Sequence, residues 1–388
     1  MSDPFAEIRP YRDDELKTVV KRLLGSREFI DVIMAWRFGQ LARLLPWLLR
    51  PGVRCLLGWQ LRRVNDVHSM QQLIKIYMDG MINHTSSGFS SSGLEALAPD
   101  SPFLYMSNHR DIAMDPAFTN YALHLEGRET VRIAIGDNLL TKPWVSDLMR
   151  LNKSFIVKRS LSSPRKFLAA TKVLSAYIQH SLLGEGVPIW LAQREGRAKN
   201  GKDKTEPAII KMLGMSRQKA DQSFEEHIES LGIVPVAISY ELDPCDAHKA
   251  AELYRIDSQG SYTKGEQEDI ASIGRGITGD KGCVHVSFGQ PLRSDPGVHL
   301  DTPAAVAAEV DRQIISRYVL HPTNLYAYRM LHGEDASLPA DINLEEGNCS
   351  RAEFEGRIEA MPEAHRPYAL GIYANAVSSK LELANSSC

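Results

Sequence analysis

His109 stands in the run Ser107-Asn108-His109-Arg110-Asp111-Ile112-Ala113-Met114-Asp115-Pro116, just after the apolar segment Phe103 to Met106 and just before the helix-prone stretch AFTNYALHL. An imidazole takes a proton at neutral pH, so its natural chemical role is general base. A base of this kind needs a carboxylate to fix its tautomer and steady the imidazolium it becomes. Asp111 and Asp115 are the two candidates nearby in sequence. A histidine that merely caps a helix would fit the same short run.

A strand end opening onto a helix start is where α/β proteins place reactive groups. The sheet holds the backbone there, and the helix N-terminus offers free N–H donors. From residue 86 onward, short β-branched or aromatic runs alternate with helical stretches, predicting strands at 103–107, 131–135, 154–157, 187–191, 234–240 and 284–288. Ser163 as N-cap, Pro164 at the first helical position and Gly184 as stop bound a helix whose Phe167, Leu174, Ile178 and Leu182 share one face. This alternation predicts an α/β fold with a mostly parallel central sheet flanked by helices and with helical N-terminal and C-terminal extensions. Three regions follow: 1–85 helical and Arg-rich, 86–295 carrying the chemistry, and 296–388 helical. In the last, Thr302-Pro303 opens one helix, and Ser350 with Glu353 forms a capping box for another. The glycine-rich run Gly274 to Gly282 lacks the Lys-Ser/Thr ending of a nucleotide P-loop and is expected to be a mobile loop.

The N-terminal region has a chemistry of its own. From Arg37 to Arg63, both included, there are six arginines and no acidic residue; Trp36 precedes them, and Phe38, Leu41, Leu44, Leu45, Trp47, Leu48 and Leu49 are interleaved with them. Pro46 and Pro51 interrupt it, and no uncharged stretch approaches the ~20 residues of a spanning helix. The mixture suits helices lying in a headgroup layer, and it equally suits core helices with solvated arginine edges. At the start of the chain, MSDPFAEIRPYRDDE is polar and acidic where a signal peptide needs a basic start and an apolar run, so a cytoplasmic location is expected.

Composition narrows the rest. The chain has 388 residues, 43% hydrophobic and 24% charged, with 45 Lys+Arg against 48 Asp+Glu for a net charge of −3. That balance disfavours disorder and a dedicated nucleic-acid binder. Five scattered cysteines show neither zinc-site nor redox-pair spacing, and no ligand cluster calls for a metal. His109-Arg110-Asp111 spells a kinase triplet, but the expected Asn is Pro116 and no nucleotide loop precedes it. The serine-hydrolase elbow fares no better, because Gly88-Phe89-Ser90-Ser91-Ser92-Gly93 is one residue too long and precedes its strand.

Several blocks together, in order, resemble the glycerolipid acyltransferase superfamily of the 1-acylglycerol-3-phosphate acyltransferase (PlsC-like) type. The first is Asn108-His109 with a following Asp, led in by GLEALAPDSPFLYMSNH. The second is Asn152-Lys153-Ser154-Phe155-Ile156-Val157-Lys158-Arg159, and the third is Ile189-Trp190-Leu191-Ala192-Gln193-Arg194-Glu195-Gly196-Arg197. Ile233 to Tyr240 is similar to the fourth block, and Val284 to Pro291 to the closing strand. Two departures stand out. The family's Asp falls five positions after the His, which here is Met114, and its third-block Arg falls on Ala198.

The resemblance implies transfer of a fatty acyl group from acyl-CoA or acyl carrier protein to the hydroxyl of a glycerolipid acceptor, lysophosphatidic acid-like or glycerol-3-phosphate, in phospholipid biosynthesis. It implies His109 as base with Asp115 or Asp111, Lys158 and Arg159 on the acceptor phosphate, and Arg197 or Lys199 as a second clamp. Glu195 would bind an acceptor hydroxyl or anchor a cation, and Gly196 would let backbone approach the ligand. No cofactor and no metal are needed. A membrane lipid surface is the implied partner, on the inner face of the cell membrane and without nucleic acid. The other readings are a non-catalytic membrane-peripheral lipid-binding protein and an acyltransferase acting on a non-glycerol lipid.

Overall fold

A computed structural model describes residues 3–218, 221–265, 268–338 and 347–386; the Trp36 side chain lies outside the described residues. In chain order the first elements are α1 (Asp13–Gly25), α2 (Arg27–Phe38), α3 (Leu41–Leu44), α4 (Pro46–Leu61), α5 (Val67–Thr85), β1 (Gly88–Ser92) and β2 (Leu104–Ser107). Then follow α6 (Met114–Leu125), β3 (Arg132–Gly136), α7 (Pro143–Leu151), β4 (Ser154–Val157), α8 (Pro164–Gln179), β5 (Ile189–Ala192), α9 (Pro207–Leu213), α10 (Phe224–Ser230) and β6 (Ile233–Tyr240). The last are α11 (Asp246–Gln259), α12 (Glu268–Thr278), β7 (Cys283–Phe288), α13 (Pro303–Arg317), α14 (Pro322–His332), α15 (Arg351–Glu359) and α16 (Arg366–Ser386).

Local chemistry sets many of these boundaries. Pro46, Pro143, Pro164, Pro207, Pro303 and Pro322 each open a helix, where the missing N–H costs nothing. The hydroxyls of Ser26, Ser223, Thr302 and Ser350 accept from the backbone three residues on, and Ser223 and Ser350 complete capping boxes with Glu226 and Glu353.

The chain divides into two compact units, each built from separated segments: Met1–Tyr77 with Arg132–Leu174, and Met78–Val131 with Ser175–Cys388. In unit one, Leu16, Val19, Leu23, Ile30, Met34 and Val53 bury a core between the first helices, which Leu151 of α7 joins. Arg22 reaches Asp147 at 2.5 Å, and Tyr11 donates to the same carboxylate at 2.8 Å. Strands β3 and β4 pair in parallel from Ile133↔Ser154 to Gly136↔Val157.

Unit two holds a five-strand sheet in the order β1-β7-β6-β2-β5. All its pairings are parallel except β6 with β7. Every residue of β2 and β6 is buried, as a strand covered on both faces requires. A second apolar cluster, including Phe354, Ile358, Ala369, Leu370 and Tyr373, ties α11, α14, α15 and α16 together. The fold is therefore α/β with mostly parallel strand pairing and helical terminal regions.

Three expectations need correction. Gly274 to Thr278 is not a loop but the last part of α12, because the helix needs a glycine at 276: a Cβ there would lie 2.3 Å from Asp111 Oδ2. Phe167 is half exposed, whereas Leu174, Ile178 and Leu182 are buried. Strand β1, Gly88–Ser92, carries three serines and escaped the pattern of apolar runs.

Candidate active site

Strand β2 pairs with β6 up to Ser107↔Val236, and the side chain of Asn108 then carries the ladder one step further. Its Oδ1 accepts from Ile238 N–H at 2.8 Å and its Nδ2 donates to the Ile238 carbonyl at 3.0 Å. An amide side chain thus imitates a peptide and satisfies buried backbone groups, so the main chain is free to leave the sheet at His109. The His109 carbonyl in turn accepts from Ala198 N–H at 2.8 Å, which fixes the loop after β5 beside it.

His109 Nδ1 lies 2.9 Å from Asp115 Oδ2. The imidazole is 13% exposed and the carboxylate 0%, so the pair faces solvent only through the ring. Asp115 sits in the first turn of α6, where a negative charge is favoured. Its Oδ2 also accepts from the backbone N–H groups of Arg110 at 2.7 Å and Asp111 at 2.9 Å. The turn from Arg110 to Ala113 wraps the carboxylate and absorbs the extra residue between His and Asp. Tyr240, at the end of β6, donates its hydroxyl to Asp115 Oδ1 at 2.8 Å. Burial, and then the Asp115 charge, push this phenol well above its ordinary value, so it keeps its proton.

Asp111 does a different job. Its Oδ1 accepts from Ala113 and Met114 N–H, both at 2.9 Å, which caps the start of α6. Burial, followed by repulsion from Asp115, raises its carboxyl. The structure therefore brings Asp115, and not Asp111, to the imidazole.

Neighbouring residues hold this corner in place. Arg110 donates to Asp203 Oδ2 at 2.7 Å and to the Gly201 carbonyl at 3.0 Å, with its guanidinium 5.5 Å from the Tyr318 ring centre. Lys249, fully buried, pairs with Asp243 and donates to the Arg110 carbonyl at 2.7 Å. The Trp190 ring meets His109 edge-on at 6.0 Å. Sequence reading missed Tyr240, Asn108, Asp203 and Trp190 as parts of the site. Asn108, Trp190 and Tyr240 each lie in a block that carries the resemblance, whereas nothing in the sequence singled out Asp203.

The C-terminal helices reach the same corner. Gly201, at φ +77°, approaches α16 so closely that a Cβ would lie 2.2 Å from the Ile372 carbonyl oxygen. Asn375 Nδ2 donates to the Asn200 carbonyl at 2.7 Å, and Asp311 of α13 accepts from the Thr205 N–H at 2.7 Å and hydroxyl at 2.6 Å. These contacts brace the loop that presents Asp203 to Arg110.

The model of the family described as Acyltransferase matches residues 88–239, from the first residue of β1 to Ser239 in β6. That span contains the His109–Asp115 pair and its supporting loop. Residues 88–239 thus carry the pattern of an acyltransferase domain. The 1-acyl-sn-glycerophosphate (LPA) acyltransferase PlsC from Thermotoga maritima, known as a crystal structure, is similar at 14% identity and a TM-score of 0.38, over 77% of this chain and 94% of that one. No curated protein matches the chain.

The remaining candidate residues fall in both units. In unit two, Glu195 is exposed, with its N–H donating to Glu206 Oε2 at 3.3 Å, and Gly196 turns the chain at φ +74°. Arg197 is only 8% exposed. Its Nη2 donates to Ser272 Oγ of α12 at 3.3 Å, and its Nη1 has no partner among the described residues. Lys199 pairs with Glu252 of α11, and burial holds its ammonium below the ordinary lysine value. In unit one, Lys158 pairs with Glu7. Asp137 anchors the loop after β4 through Arg159 N–H at 3.1 Å and the Ser160 hydroxyl at 3.2 Å. The Arg159 guanidinium covers Gly136, where a Cβ would lie 3.1 Å from its Cζ. Among the described residues no group of three His, Cys, Asp or Glu side chains gathers at metal-binding spacing.

Proposed function

We propose that this acyltransferase moves a fatty acyl group from a thioester, acyl-CoA or acyl carrier protein, to the hydroxyl of a phosphate-bearing glycerolipid acceptor such as a lysophosphatidic acid or glycerol 3-phosphate. The observation that carries the reading is the 2.9 Å contact between His109 Nδ1 and the buried Asp115 carboxylate. That contact leaves the other ring nitrogen, Nε2, as the proton acceptor. His109 takes the acceptor's hydroxyl proton as its oxygen attacks the thioester carbonyl carbon. Asp115 balances the imidazolium so formed. Collapse of the tetrahedral intermediate breaks the C–S bond, and the departing thiolate recovers the proton from His109. No acyl-enzyme is needed.

Within unit two, Arg197 and Lys199 are proposed holders of the acceptor phosphate, with Glu195 and Gly196 beside it; in unit one, Arg159 and Lys158 are proposed separately, on the resemblance of their block alone. A guanidinium fork suits a phosphate. Arg197 supports this role with a buried Nη1 that finds no protein acceptor among the described residues. Buried donors without partners are rare and costly.

The enzyme is proposed to work at a lipid surface, peripheral on the inner face of the cell membrane. Among the described residues no helix is long and apolar enough to cross a membrane. Leu41, Leu44, Trp47, Leu48, Leu56 and Trp59 of α3 and α4 are all exposed, Leu44 to 72% and Trp47 to 70%. An apolar patch of this extent, set among arginines, fits a headgroup layer.

Incubation with labelled acyl-CoA or acyl carrier protein and a panel of acceptors tests the reading. Transfer to phosphate-bearing acceptors is expected. Transfer only to a neutral lipid would remove the phosphate clamp from the proposal, and transfer to none would leave a lipid-binding protein.

A further inference from the structure

Unit one contains a groove between α1 and α4 that the transfer reaction does not use, with about 450 Å³ of open volume. Its lining has two parts. Leu16, Val20, Leu24, Leu61 and Val64 supply an apolar floor. Lys17 and Lys21 on one side, and Arg54 and Arg62 on the other, supply four cations, and no carboxylate lines it.

The spacing shows how the groove arises. Lys17 and Lys21 are one turn apart on α1, so they stand on the same face and repel each other. Arg54 and Arg62 are two turns apart on α4, with Gly58 midway between them. A Cβ at Gly58 would meet only Leu24 Cδ1, at 3.9 Å, so the glycine is not forced by crowding there; it leaves space. Several cations elsewhere in this unit pair with carboxylates: Arg9 with Asp3 and Glu15, Arg22 with Asp147, Arg50 with Asp31, Lys158 with Glu7. The side chains of Lys17, Lys21, Arg54 and Arg62 make no hydrogen bond or ion pair among the described residues. Four unpaired charges over an apolar floor complement one kind of molecule, an amphiphile with an anionic head.

We infer that the groove binds a single anionic phospholipid of the membrane, its phosphate among the four cations and its glycerol and upper chains on the apolar floor. The choice of a membrane lipid rests on α4 itself. The helix that contributes Arg54 and Arg62 also exposes Trp47, Leu48, Leu56 and Trp59. This rests on the proposed lipid-surface location but not on the proposed chemistry. Attraction of lysines and arginines to anionic lipids accumulates with their number near the surface.

The test uses the full-length protein and vesicles of phosphatidylcholine alone or with phosphatidylglycerol. Wild type should bind the anionic vesicles roughly tenfold to hundredfold more tightly. Gly58→Leu fills the groove and keeps all four charges, and should bring the two affinities within about threefold. Lys17→Glu with Lys21→Glu should do the same, and covers the case in which Gly58→Leu does not fold. Arg43→Glu, a charge change outside the groove, should keep most of the preference. Equal binding of both vesicles by wild type would overturn the inference. So would a full preference in a folded Gly58→Leu, which would mean diffuse attraction only. Loss of acyl-CoA binding in Gly58→Leu with the anionic preference intact would reassign the groove to the donor. Failure on phosphatidylcholine alone counts against the apolar surface, whereas the phosphatidylglycerol increment reports the groove.

Discussion

Replacing Asp115 by asparagine tests the dyad with the least disturbance. The amide oxygen can sit where Oδ2 accepts from Arg110 and Asp111 N–H, and the amide nitrogen then donates to the Tyr240 hydroxyl, which turns to accept. What is lost is the charge. An imidazolium and a carboxylate 2.9 Å apart attract by about 6 kcal/mol at an effective dielectric of ~20. A neutral acceptor keeps roughly half the strength of a charged one. At 1.36 kcal/mol per decade, kcat should fall between about 10² and 10⁴. KM should stay within about twofold, because the charge acts on the transition state and not on binding. Release of CoA thiol with saturating acceptor measures the rate, and circular dichroism verifies the fold. A folded variant that loses less than about tenfold would refute the assignment of Asp115.

Other expectations follow from neighbouring contacts. Tyr240→Phe removes one donor from a buried carboxylate and should cost about 1.5–3 kcal/mol in a denaturant titration. Gly276→Ala should destabilise by about 1–3 kcal/mol, because its Cβ would lie 2.3 Å from Asp111 Oδ2. Helix propensity alone predicts a gain there of about 1 kcal/mol, so the sign of the change decides whether α12 packs on Asp111. Asp311 is raised by burial to about 6 from 3.8. A carboxyl raised on folding gives stability below its unfolded pKa that is lost as pH rises through the folded one. Wild type should therefore lose up to about 3 kcal/mol between roughly pH 4 and 6 from this group, and Asp311→Asn should flatten that slope in melts across the range.

The strands of the site were legible because the sheet buries both faces, and unbroken apolar runs such as Ile233 to Tyr240 announce that environment. Helix starts at Pro164, Pro303 and Arg351 were legible from Pro, Ser and Thr, whose effect is local. What failed depends on contacts distant in sequence. Gly276 looks like a loop glycine until Asp111, far back in the chain, is seen against it. Strand β1 lacks an apolar run because Ser90 and Ser92 face the two ring nitrogens of His285 on β7, at 2.7 and 2.9 Å. The choice between Asp111 and Asp115 turned on how four residues bend, which composition does not encode. The last hundred residues carried helix signals but no hint that α16 would meet Gly201.

The most direct test of the central claim is a single turnover by His109→Ala with labelled acyl thioester and acceptor, followed by intact-protein mass analysis. The account predicts a fall in transfer of at least about 10², the lower end of what a general base contributes, with acceptor still bound and no acyl group on the protein. Undiminished transfer, or a covalent acyl-enzyme in wild type, would contradict it.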